Sequence, residues 1–299
     1  MIVKNTKVLC RLFVTVVVLW LAVSGQDHAL AQQTFDSPDL ASEAFVEAVA
    51  TKDADALGSI LGSDWKEFIP TDNISPEDVD AFIAAWDKTH RFKPIAYGRV
   101  QLAVGSEDWT LPIPIVKEGE TWRFDTIAGA EEMRTRRIGR NELSAMQAAM
   151  AYYDAQMEYA LVDRNGDGVL EYAQQFLSSP GQRDGLYWPV TAGEKESPLG
   201  PLFGEDEPGK DYHGYYFRIL SGQGHNAPGG AYDYKINGRM SAGFALVAWP
   251  VDYGDTGVMT FIVSHDGQVY EKDSGPATDQ VARVMALFDP DPSWEKVAP

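Results

Sequence analysis

The sequence predicts an α+β fold in two domains, residues 36–138 and 141–297, behind a leader of residues 1–31. Three observations carry this. Apolar residues recur at helical spacing between Leu40 and Thr89, side chains alternate from Ile95 to Thr126, and a long amphipathic stretch from Asn141 leads into strands rich in glycine and aromatic residues. Helices set apart from antiparallel strands define the α+β layer class. With 299 residues, 44% of them apolar, the chain can bury two cores of ordinary domain size.

The leader has Lys4, Lys7 and Arg11 ahead of an uncharged apolar run from Leu12 to Val23, then Ala29-Leu30-Ala31. That is the order of a secretory signal peptide, with cleavage expected after Ala31. A spanning helix takes about 20 apolar residues, so the alternative of an uncleaved anchor fits less well. The expected location is the periplasm or the medium, with no stable membrane anchor after cleavage. Cys10 precedes the apolar run, so it is not placed to carry a lipid, and the mature chain keeps no cysteine for a disulfide.

Loss of three cations and one anion with the leader takes the net charge from −19 to −21. Such a surface repels phosphate backbones and excludes nucleic acid as a partner class. Acidity serves solubility in any case.

In the first domain Ser37 is placed to cap a helix through Leu40, Phe45 and Val49, a second helix runs from Ala54 to Leu61, and Ser75 caps a third over 76–89. Ile95 to Val104, Trp109 to Val116 and Trp122 to Thr126 read as strands, with a hairpin at Glu118-Gly119-Glu120. The element order, with "AFVEAVATKDADAL" early and "KEGETWRFDTI" late, resembles the cone-like helix-plus-sheet fold of nuclear transport factor 2 and its relatives. Arg134, Arg136, Arg137 and Arg140 form a basic run between the halves. It reads as a docking site for an acidic partner or as a linker paired with the chain's own carboxylates.

From Asn141, the residues Leu143, Met146, Met150, Tyr153, Met157 and Ala160 step by three and four, one apolar stripe over about five turns that is expected to face the core. Strands follow at 215–220, 232–236, 243–249, 258–263 and 269–272, with turns at Asn237-Gly238 and Asp266-Gly267.

The segments "RRIGRNELSAMQAAMAYYDAQMEYA", "DRNGDGVLEYAQQFLSSPGQRDGLYWP", "YHGYYFRIL" and "APGGAYDYKINGRMSAGFALVAWPVDYGDTGVMTFIVSHDGQVYEKD" resemble the bacterial family catalogued as domain of unknown function 2950. Membership implies an exported protein and names no activity. The second half also looks like the globular part of pilins and pseudopilins, which implies a long helix packed on an antiparallel sheet. The prepilin leader is not among its motifs, so assembly into a pilus is not expected.

One motif carries chemistry. Asp163, Asn165 and Asp167 stand at positions one, three and five of a loop with Gly168 at six and the carbonyl of Val169 at seven, the start of an EF-hand-type calcium loop. Gln174 replaces the bidentate glutamate of position twelve, so Glu171 or a distant acid such as Asp184 is needed to complete the shell. The expected metal set is Asp163, Asn165, Asp167, Val169 and Glu171, with calcium as the cofactor and an affinity of about 10⁻⁴ to 10⁻³ M. An Asx-rich turn without metal explains the same residues.

No nucleophile elbow, zinc motif or phosphate loop is present, and His90, His213, His225 and His265 lack metal-ligand spacing. No catalytic or cofactor-binding residue is therefore assigned beyond the loop. The expected function is a non-enzymatic envelope module that binds an unknown envelope protein or small ligand. The alternative is a periplasmic enzyme, such as a hydrolase, with a first-domain pocket around Trp86, Asp87, His90 and Trp122.

Overall fold

The computed structural model describes residues 32–69, 74–190, 193, 195–200 and 211–297; the expected leader and its expected cleavage site lie outside them. Four helices open the chain: α1 (Pro38–Thr51), α2 (Ala54–Leu61), α3 (Trp65–Phe68) and α4 (Pro76–Lys88). Ser37 caps α1 through Leu40 N, and Ser75 with Asp78 forms a reciprocal capping box on α4.

The strands β1 (His90–Ala96), β2 (Arg99–Val104), β3 (Trp109–Thr110), β4 (Ile115–Glu118) and β5 (Thr121–Phe124) make an antiparallel sheet in the order β1-β2-β4-β5, with β3 against β2. The run expected as one strand over Ile95–Val104 is two, because Tyr97-Gly98, with Gly98 at φ 65°, turns the chain back. The hairpin after Glu118 forms as read, with Glu118 opposite Thr121. Phe45, Leu102, Ile115 and Phe124 lie in one buried cluster between helices and sheet.

Helix α5 spans Thr126–Tyr159, 34 residues capped by the Asp125 carboxylate on Ala128 N. It begins fifteen residues before the expected Asn141, so it runs unbroken through the expected join between the halves. Its first turns press on the connection between β3 and β4 at Gly129, where a Cβ would stand 2.8 Å from Ile113 Cγ1. The basic run is helical and mostly paired within the chain. Arg134 meets Glu131, Arg136 meets Glu132 and the Thr110 carbonyl, and Arg137 meets Asp255 of the second half.

After α5 come β6 (Tyr215–Leu220), β7 (Gly222–Gln223), β8 (Tyr232–Asp233), β9 (Lys235–Ile236), β10 (Arg239–Met240), β11 (Ala245–Pro250), β12 (Met259–Ser264), β13 (Val269–Asp273), α6 (Thr278–Val284), β14 (Leu287–Phe288) and β15 (Glu295–Lys296). The main sheet is antiparallel in the order β15-β13-β12-β11-β6. Asn237 and Gly238, at φ 53° and 82°, make the two-residue turn between β9 and β10. The second core joins α5 to this sheet through Tyr152, Phe244, Leu246 and Phe261.

The inward stripe of α5 differs from the expected one. Leu143, Met150 and Met157 are 53%, 37% and 43% exposed, while Ala145, Ala149, Tyr152, Ala155 and Tyr159 are buried. Alanines let the helix lie close on a sheet already filled by Phe244 and Phe261, and Tyr152 fills the remaining gap between Phe244 and Phe176. Met146 and Tyr153 pack only partly against that core. The chain is thus α+β, with antiparallel sheets in both halves.

Candidate functional site

The loop at the end of α5 is built from Gln156 outward. Buried Gln156 donates from Nε2 to Ala173 O at 2.8 Å and accepts from Ala173 N at 2.8 Å, so it acts as a neighbouring strand for the end of the loop. Its Nε2 also donates to Tyr152 Oη at 3.0 Å. On the outer side Tyr172 N donates to Met240 O and Gln174 Nε2 to Gly238 O at 2.9 Å, which clips the loop to the β9–β10 hairpin. Arg164 points the other way, over the rings of Tyr159 at 4.6 Å and Trp188 at 5.0 Å. Burial pushes the Tyr159 hydroxyl up to about 12 despite the nearby Arg164 charge.

Between these anchors Asp163 accepts from Gly166 N and Gly168 N, each at 2.8 Å, Asn165 from Asp167 N at 3.1 Å and Asp167 from Val169 N at 3.0 Å. These are Asx turns, which Gly166 and Gly168 permit at φ 75° and 84°. Donation from Gly168 N, followed by other loop amides, holds the Asp163 carboxyl below its usual range. Glu171 moves upward, first through burial and then through the charge of Asp167, while Arg239 opposes the rise. Arg239 meets Asp167 Oδ2 at 2.6 Å, and Asn165 Nδ2 donates to Glu171 Oε1 at 2.8 Å. The loop is therefore a carboxylate cluster with one guanidinium.

Of the expected ligand set, Asp163, Asn165, Asp167 and Glu171 are side-chain neighbours in this loop, with the Val169 backbone closing the last turn. Gln174 is spent on Gly238. Asp184 is also spent, since it accepts from Ser179 N at 2.7 Å and Ser179 Oγ at 2.8 Å. Among the described residues no three His, Cys, Asp or Glu side chains form a ready-made metal group. The donors are hard oxygens of the kind calcium takes, but the turns and Arg239 already engage several of them. Arg239 and Gln156 were not read from the sequence, although Arg239 directly follows the Asn237-Gly238 turn.

The first-domain constellation does not gather. His90 lies flat on Trp86, ring centroids 3.6 Å apart at 3°, with its Nδ1 3.1 Å from the Trp86 carbonyl. Asp87 and His90 are exposed, and Trp122 stands on β5, at the opposite edge of the sheet from β1.

A cleft of about 340 Å³ lies in the second half, where Ser144, Gln147, Ala148 and Ala151 of α5 face Leu199-Gly200 and Tyr212-His213. His213 and Gly214 take φ 50° and 74° in a tight turn closed by Tyr212 and Tyr215, a conformation that costs a histidine on the order of 1 kcal/mol. Among the described residues, no Asp, Glu, Lys or Arg lines the cleft.

A family model described as Protein of unknown function (DUF2950) matches residues 32–297. The chain belongs to the DUF2950 family. No curated protein and no solved structure matches this DUF2950 chain. Among its described residues no helix is long and apolar enough to cross a membrane.

Proposed function

We propose that this DUF2950 protein is an exported, non-enzymatic envelope protein, periplasmic or secreted, that binds a small ligand or a partner protein and braces its 163–174 loop with calcium. The single observation that supports binding is the cleft along α5. Its walls are uncharged among the described residues, in a chain of net charge −19, and suit an uncharged ligand with hydrogen-bonding groups that reach Ser144, Gln147 and His213.

Calcium would be held by Asp163, Asn165, Asp167, the Val169 carbonyl and Glu171, with water filling the shell. The support is electrostatic. Burial and then the charge of Asp167 raise Glu171, and the one guanidinium facing Asp167 leaves excess negative charge in the loop. The likeness of the halves to nuclear transport factor 2 and to pilins belongs to the same proposal, and so does a pair of domains meeting within α5.

Thermal melting tests the metal. Millimolar calcium is expected to raise the midpoint by a few degrees over chelator, since [Ca²⁺] of about ten times Kd adds roughly 1.4 kcal/mol. Asp163→Asn should remove the rise. An unchanged midpoint at about 10 mM calcium overturns the brace. Sequencing of the secreted chain should begin at Gln32.

A further inference from the structure

Asparagine followed by glycine occurs at Asn165-Gly166 and at Asn237-Gly238. Such a pair can react with itself. The backbone nitrogen after the asparagine attacks the side-chain carbonyl carbon to close a five-membered ring, and glycine puts no Cβ in the way. The fold gives the two pairs opposite surroundings.

At Asn165 every reacting atom is held. Gly166 N, the nucleophile, donates to Asp163 Oδ1 at 2.8 Å, Asn165 Oδ1 accepts from Asp167 N at 3.1 Å, and Asn165 Nδ2, the leaving nitrogen, donates to Glu171 Oε1 at 2.8 Å. These bonds have to open before the ring can close, which slows the reaction by at least about tenfold. At Asn237 the same atoms are loose. Among the described residues neither its side chain nor Gly238 N makes a hydrogen bond, and both residues are exposed. A Cβ on Gly238 would have nothing within 4 Å. The turn closes a hairpin of only two residues per strand, Lys235–Ile236 and Arg239–Met240, so the local opening that lets the pair reach its reactive geometry costs little. The ties from this hairpin to the 163–174 loop run through Gly238 O, Arg239 and Met240 O, and they leave the reacting atoms untouched.

We infer that Asn237 is a site of spontaneous deamidation and that one of its products unclips the 163–174 loop from the hairpin. Gly238 N gives its proton to solvent and bonds to Asn237 Cγ; the bond from Cγ to Nδ2 breaks, and ammonia leaves with a proton from water. A second water then opens the succinimide. Breaking the new Gly238 N–Cγ bond leaves aspartate. Breaking the original bond from the Asn237 carbonyl carbon to Gly238 N leaves isoaspartate, whose main chain runs through the former side chain and is longer by one methylene. Both products add a carboxylate two residues from Arg239, the guanidinium that faces the loop. Only isoaspartate also lengthens the turn, in which Gly238 O has to meet Gln174 Nε2 at 2.9 Å and Met240 O has to meet Tyr172 N at 2.7 Å.

The test uses the purified protein aged in mildly alkaline buffer with chelator, so that the calcium reading plays no part in it. Peptide mapping by mass spectrometry should show the acid-for-amide mass gain at Asn237 at least about tenfold faster than at Asn165. In urea the two rates should converge. Asp163→Ala, which frees Gly166 N, should speed conversion at Asn165 and leave Asn237 unchanged. Hydrogen exchange at the Tyr172 amide should quicken in the isoaspartate form, isolated by chromatography, and not in Asn237→Asp, which has the same charge on a normal backbone. Equal rates in the folded protein, a gap that survives in urea, no conversion at Asn237, or Tyr172 exchange that isoaspartate leaves unchanged overturns the inference.

Discussion

The two buried regions are made from different residues. In the first, bulky side chains on both partners interlock: Phe45 of α1 packs on Phe124 of β5 with ring centroids 5.2 Å apart, over Leu102 and Ile115. In the second, the sheet supplies the bulk through Phe244 and Phe261, while α5 supplies alanines and two tyrosines. The lesson is that a helix laid flat on a crowded sheet buries its small residues. Tyr152 and Tyr159 fill the gaps the alanines leave, while Leu143, Met150 and Met157 stay exposed.

The strongest way to break this comparison is to truncate Tyr152. It is fully buried, it packs on Phe176 and Phe244, and it donates to Ala245 O at 3.3 Å. Tyr152→Ala is expected to cost about 3–5 kcal/mol in denaturant unfolding. Leu143→Ala, of similar apolar bulk on the same helix, is expected to stay within about 0.5 kcal/mol. Equal losses would mean that the two faces have been assigned the wrong way round.

Next comes Gln156→Leu, which strands both backbone groups of Ala173. A loss of about 2–3 kcal/mol is expected, with faster hydrogen exchange at the Ala173 amide. Gly129→Ala probes the first region from the same helix. Its Cβ would meet Ile113 Cγ1 at 2.8 Å and Cα at 3.1 Å, and a cost of about 1–3 kcal/mol should appear as a lower melting midpoint.

The smallest effects separate two carboxylates of one loop by sign. Glu171 is raised, so it weakens the fold as pH climbs from its unfolded value through its folded one. Glu171→Gln should stabilise the calcium-free protein at pH 7 by roughly 0.5 kcal/mol or less, with the gain gone near pH 3. Asp163 is lowered, so its contribution is present above its unfolded value and disappears as pH falls through its folded one. Asp163→Asn should therefore lower the midpoint at pH 7 and leave it unchanged in strong acid.

Local signals account for what was readable from the amino acids. Ser37 and Ser75 mark helix starts because their hydroxyls reach free amides, and Asn237-Gly238 marks a hairpin because both residues tolerate positive φ. The strand over Tyr215–Leu220 has the expected bounds, and the Asp163-Asn165-Asp167 spacing located the loop. The α+β class and membership of the DUF2950 family also follow from the chain itself.

Other features depend on residues far apart in sequence. The early start of α5 was hidden because Asp125 and Thr126 close an alternating strand and cap a helix within two positions. Periodicity finds a stripe but cannot tell which stripe meets the sheet, since that depends on the volume Phe244 and Phe261 leave free. Arg239 reaches Asp167 across 72 residues only because the β9–β10 hairpin folds back on the loop. By itself, then, the sequence determined class, family, caps, turns and the loop's oxygen donors, all set by neighbours along the chain. Tertiary packing alone decided which face of α5 is buried and which charge faces the loop, because both follow from the space and charge that distant strands bring.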